Sequence, residues 1–133
     1  NPINTLCSIL AKVIDEDGRI TVPHFYDDVE EVPAAEREMI AQIPFDEQKY
    51  MAAINVKALK GEKGYSTLER NSCRPSFDIC GIWGGYTGEG SKTVLPSKAY
   101  AKVSCRLVPH QNHEKISKLF VDYINAVAPD YVK

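Results

Sequence analysis

From Ala99 to Val108 apolar and polar side chains alternate. Ala99, Ala101, Val103, Cys105 and Leu107 fall on one side of an extended backbone, and Tyr100, Lys102, Ser104, Arg106 and Val108 on the other. The pattern predicts a half-buried strand over residues 98–108, closed by Pro109. A second β-rich run, Ser76–Trp83, lies upstream across a loop with four glycines, Gly84, Gly85, Gly88 and Gly90. Two such runs around a glycine-rich connection predict an antiparallel pair. Towards both ends the period changes. Ile3, Leu6, Cys7, Leu10, Val13 and Ile14 recur at three and four after Asn1-Pro2, a capping residue followed by a proline suited to the first helical turn. Gly18 is expected to end that helix, and Arg19–Val22 reads as a short strand closed by Pro23. Ile116, Leu119, Phe120, Tyr123, Ile124 and Val127 make a second stripe between an Asn112 cap and Pro129.

The middle of the chain differs. Residues 27–49 hold eight carboxylates against two bases, Arg37 and Lys49. Pro33 followed by AAEREMIAQI predicts a helix stopped by Pro44, and Asp46 caps a second, EQKYMAAIN. Met39, Ile40, Ile43, Tyr50, Met51 and Ile54 are expected to pack this pair onto the main body. Residues 57–71, with Gly61 and Gly64, read as an extended loop. The order is therefore helix, acidic helical insertion over about residues 27–60, two strands, helix. This is an α+β chain forming one domain at residues 1–133. Its two strands make a narrow sheet, marginal without further strands or a partner. With a helix starting at residue 1 and four residues after Pro129, the chain reads as a fragment of a larger protein.

Composition narrows the function classes. A formal charge of −2 gives no electrostatic case for nucleic acid or an anionic membrane. No apolar run approaches the ~20 residues of a membrane span. Cys7, Cys73, Cys80 and Cys105 form no C-x-x-C pair, so reduced thiols and a cytoplasmic setting are expected.

Candidate chemistry is sparse. GYTGEGSKT at residues 85–93 is not a phosphate-binding loop, because Ser91 separates Gly90 from Lys92 and no helix start follows. His24, His110 and His113 show no metal-ligand spacing, so no intrinsic metal site is expected. No catalytic residue is assigned. Arg106 stands out, on the polar face of its strand just before the ladder ends. Its alternative is a solvated arginine paired with a carboxylate such as Asp78.

Gly81-Ile82, the run from Gly84-Gly85-Tyr86 through Lys92-Thr93-Val94-Leu95-Pro96, and Arg106-Leu107-Val108-Pro109 together resemble a known family. They are similar to the dimerisation, or lid, domain of carnosinase-like zinc metallopeptidases, in the superfamily of the aminoacylases and glutamate carboxypeptidase. Asn1-Pro2, Phe25-Tyr26-Asp27 and Arg74-Pro75 fit the same pattern.

The resemblance implies a ferredoxin-like fold, an antiparallel sheet with two helices on one face, here with its terminal strands truncated. It implies a homodimer, association with the catalytic domain of the parent chain, and zinc in that absent domain rather than in this fragment. It implies that Arg106 binds the C-terminal carboxylate of a peptide substrate, with Thr93 adding a hydrogen bond. A planar guanidinium can grip a carboxylate through two parallel bonds. The family's lid histidine lies upstream of Asn1, so the fragment alone is expected neither to hydrolyse peptides nor to hold zinc. The alternative function is a free-standing interaction module using an exposed sheet edge and the acidic insertion.

Overall fold

The computed structural model describes residues 1–133. Helix α1 spans Pro2–Leu10, α2 Ala34–Ala41, α3 Glu47–Ala53 and α4 Thr67–Ser72; strands β1 (Ser76–Gly84) and β2 (Ala99–Arg106) follow, then α5 (His113–Val127). The architecture is α+β, with one two-stranded antiparallel sheet as its centre.

The register pairs Ser76 with Arg106, Phe77 with Cys105 and Trp83 with Tyr100; it slips by one residue between Ile79 and Gly81. Cys80 is the extra residue of this bulge. Along β2 half-buried and exposed residues alternate without a break, as the sequence predicts. The inner face carries Phe77, Val103 and Cys105, and meets α5 through Leu119, Phe120, Tyr123 and Ile124. Phe77 and Phe120 rings lie 5.7 Å apart. The core proper is Val13, Ile20, Val22, Phe25, Phe77 and Ile116. Each fully buried apolar side chain of this size contributes about 1.5–3 kcal/mol.

Both terminal helices start where the sequence places them. Asn1 Oδ1 accepts from Ile3 N–H at 3.0 Å, and Asn112 Oδ1 accepts from the amides of Glu114 and Lys115. The end of α1 differs from expectation. The helix stops at Leu10 rather than at Gly18, and Ile14 pairs with Ile20 in an isolated antiparallel bridge. Residues 19–22 therefore form no strand beyond that bridge. Val13 still reaches the core, fully buried, but in a turn. Three-residue apolar spacing cannot distinguish the two backbones. The turn is tied down by Lys12, whose carbonyl accepts from both the Thr21 and Tyr123 hydroxyls.

In the insertion α2 and α3 form as predicted, the second with Asp46 accepting from Lys49 N–H at 3.0 Å. Their expected packing onto the body is only partly realised: Ile40, Tyr50 and Met51 are half-buried, whereas Met39, Ile43 and Ile54 are exposed. Residues 57–71 are not wholly extended, because α4 occupies their end. Its capping box is complete: Glu69 N–H donates to Ser66 Oγ, and Ser66 N–H donates to Glu69 Oε2. Ser66-Thr67-Leu68-Glu69 carries that signature in the sequence.

Candidate carboxylate-binding site at the open end of the hairpin

Where β1 begins and β2 ends, the chain forms a cavity of about 960 Å³ that opens to solvent. Its walls come from four places: the turn around Gly18, the end of α3 at Tyr50 and Ile54, the return of the insertion over Leu59–Glu62 with the end of α4, and the strand ends with Arg106. Two of these walls touch backbone to backbone. A Cβ on Gly18, at φ +78°, would lie 2.5 Å from the Gly61 carbonyl oxygen, and Lys63 N–H donates to Asp17 O at 2.8 Å. Only glycine at position 18 allows both the left-handed turn and this approach.

Arg106 stands on the outer face of β2, exposed, at the last paired position. The sequence alternative of a pair with Asp78 is not formed. Asp78 accepts instead from Ser76 Oγ at 3.1 Å, and Arg106 makes no salt bridge. A cation held at a strand terminus with all five N–H groups free of carboxylate can receive an external anion.

Beside it lies a partly buried ionic lattice that spacing arguments do not reveal. Arg74 is 2% exposed and grips Glu62 with two bonds of 2.8 Å, while Arg19 reaches the same carboxylate at 3.2 Å. Tyrosine rings interleave these cations: Arg19 lies 4.0 Å from the Tyr26 ring centroid and Arg74 lies 4.3 Å from that of Tyr65. Arg37 continues the array, bonded to Glu69 and to the Gly64 carbonyl. Hydrogen bonds from Arg37 and from the Ser66 amide hold the Glu69 carboxyl at about 2, far below its ordinary 4.5. Burial raises the Tyr26 phenol, whose oxygen accepts from Ile20 N–H. This lattice fixes Arg74-Pro75, and so the start of β1 opposite Arg106.

Thr93 is elsewhere. It is exposed in the loop 85–98 at the closed end of the hairpin and takes no part in the cavity. An eight-residue strand spans on the order of 25 Å, so the two sequence-predicted binding residues sit at opposite ends of β2. The loop is folded on itself: Tyr86 Oη donates to Glu89 O at 2.7 Å and Lys92 Nζ lies 4.5 Å from the Tyr86 ring. No helix starts at Lys92; the next element is β2. Gly85, at φ +72°, sits against Ile3 of α1.

These residues do not fit a metal. His24 is bonded to Asp27 and His110 to Glu30, and no three His, Cys, Asp or Glu side chains converge. All four cysteines are free, and burial, with the charge of Asp78, raises the Cys105 thiol. No helix is long and apolar enough to cross a membrane.

Comparison with known proteins identifies the family and supports the fold. The family model "Peptidase dimerisation domain" matches residues 1–132. Human Beta-Ala-His dipeptidase is 32% identical over 128 residues, 95% of this chain but 25% of its own length. The Cys-Gly metallodipeptidase DUG1 of Saccharomyces cerevisiae is 28% identical over 94% of the chain and 26% of its own. Among solved structures, the M20 family metallo-carboxypeptidase Sso-CP2 of Sulfolobus solfataricus superposes with a TM-score of 0.84 at 35% identity, over 96% of this chain and 33% of that one. Human carnosine dipeptidase 1 superposes at 0.80 with 30% identity, over 95% and 27%. The chain thus spans about a quarter of the length of the curated relatives it matches. It belongs to the peptidase dimerisation domain family.

Proposed function

We propose that this chain is the dimerisation and substrate-clamping domain of a di-zinc dipeptidase- or aminoacylase-like peptidase, and that Arg106 binds the terminal carboxylate of the substrate. The observation that carries this reading is Arg106 itself: exposed, unpaired with any carboxylate, and set on the rim of a 960 Å³ cavity by strand pairing to Ser76. The zinc would reside in the catalytic domain, and the clamp would act by orienting the peptide toward it.

A homodimer suits the geometry. A two-stranded sheet leaves the outer edges of both strands unpaired, and such edges favour association. Dimerisation also reconciles Arg106 with Thr93, since residues at opposite ends of one hairpin reach a single substrate when two copies supply them. Four unpaired thiols suit a cytoplasmic setting.

In the full-length enzyme, Arg106→Ala should cost on the order of 2–5 kcal/mol of transition-state binding, with folding intact. Arg106→Lys should recover part, since an ammonium lacks the planar fork. The deciding comparison is kcat/KM on dipeptides with free and amidated C-termini. Wild type should favour the free acid and Arg106→Ala should lose most of that preference. A variant that discriminates as well as wild type would make Arg106 structural.

A further inference from the structure

Two guanidinium groups, rather than one, lack an anionic partner in the hairpin-end cavity. Of the five arginines, Arg19 and Arg74 are bonded to Glu62 and Arg37 to Glu69. Arg70 and Arg106 have no carboxylate partner, and both line the same cavity. Arg70 is half-buried and anchored through Nε, which donates to the Glu62 carbonyl at 2.9 Å. Its stem runs against Gly61, where an added Cβ would lie 2.7 Å from Arg70 Cδ. The two terminal nitrogens have no acceptor within the chain. A guanidinium steered by its Nε and stem, with Nη1 and Nη2 free, is oriented for a ligand from outside.

The remaining charges of the wall do not supply that acceptor. Glu62 is taken by Arg74 and Arg19. Asp15 accepts from Arg19 N–H at 2.8 Å, and Asp78 from Ser76 Oγ. Lys60 adds another cation, and Arg74 Nη1 is buried with no hydrogen-bond partner. A single carboxylate fills one guanidinium fork. With Arg106 occupied by the terminal carboxylate, the free nitrogens of Arg70 remain available to a second anionic group.

We infer that Arg70 is a specificity-determining residue that binds an acidic side chain on the C-terminal residue of the substrate, so that peptides ending in Glu or Asp are preferred. This rests on the reading of Arg106 as the carboxylate clamp. The cavity is roomy enough for one such residue, and its half-buried setting strengthens a charge-assisted pair relative to open water. A site built to pair a carboxylate discriminates against the isosteric amide, which leaves the cation without its partner.

The experiment uses the full-length enzyme with Ala-Glu, Ala-Gln and the C-terminal amide of Ala-Gln. Wild type should favour Ala-Glu over Ala-Gln by about tenfold or more in kcat/KM. Arg70→Gln should bring that ratio near one, while Arg70→Lys keeps part of it; should Arg70→Gln fail to fold, the wild-type ratio and Arg70→Lys decide. Arg106→Ala should instead abolish the preference of free acid over amide. Equal rates on Ala-Glu and Ala-Gln in wild type overturn the inference, as does an Arg70→Gln variant that keeps the ratio or loses rate equally on every substrate. Each of these leaves the Arg106 clamp standing. Persistence of the free-acid preference in Arg106→Ala would remove the clamp itself, and with it the premise for Arg70.

Discussion

Around Phe25, side chains from the segment Val13–Val22, β1 and α5 meet with no charge among the six core residues. Across Tyr26, the contacts change character. The insertion is held to the body by Glu62 between Arg19 and Arg74, by Arg37 on Glu69, and by Tyr26 and Tyr65 stacked among the arginines. Neither α2 nor α3 has a buried residue, and Met39 is 62% exposed. Apolar burial stabilises in proportion to area and tolerates small shifts. An ionic lattice contributes little net free energy after desolvation, yet it fixes position, because each carboxylate accepts only from donors in the right place. The sheet body thus supplies stability, and the lattice supplies the alignment of Arg70 and Arg74 at the cavity.

Breaking the body should give the largest effect. Phe25, 1% exposed, has no space to relax into, and Phe25→Ala should cost about 3–5 kcal/mol in urea unfolding. A loss below about 1 kcal/mol would mean that the core lies elsewhere. Glu62→Gln should come next. It leaves the Arg74 charge at 2% exposure with no carboxylate, a change worth about 3 kcal/mol. Combining it with Arg74→Met should recover most of that loss. Hydrogen exchange would locate the damage: amides of residues 60–72 should lose protection while Phe77 and Val103 keep theirs. Uniform loss across both regions would contradict the division.

The same division explains what was legible in the sequence. The helices α1 and α5 and both strands follow from periodicity, because their partners are apolar and any apolar neighbour suffices to bury a stripe. Arg106 was placed correctly on the polar face for the same reason. Residues 10–22 were not, since Val13 and Ile14 satisfy a helical stripe and a tight turn equally. Helix α4 was written in Ser66 and Glu69 but lacked an apolar stripe to mark it. The Arg74–Glu62 pair and the unpaired Arg70 depend on contacts between segments twelve and eight residues apart. Charge has no period, so only three-dimensional placement identifies which arginine has lost its counter-ion.

Two carboxylates of the lattice offer the finest comparison, because one partner is buried and the other is not. Arg37 is 43% exposed against 2% for Arg74, so removing the Glu69 charge leaves a cation that water can solvate. Glu69→Gln should therefore destabilise far less than Glu62→Gln. It should, however, alter the acid limb. The folded carboxyl sits at about 2 and the unfolded one near 4.5, so the unfolded state binds the extra proton in between. The contribution of Glu69 is complete above pH 4.5 and disappears as pH falls toward 2. Between those values the wild type should lose stability with falling pH more steeply than Glu69→Gln, and the two urea midpoints should converge near pH 2. Raising salt at neutral pH should narrow the same gap, because the pair is partly open to screening. A midpoint difference that stays constant from pH 4.5 to pH 2 would mean that the folded Glu69 carboxyl is not held below its ordinary range, and that neither Arg37 nor the Ser66 amide favours its charged form.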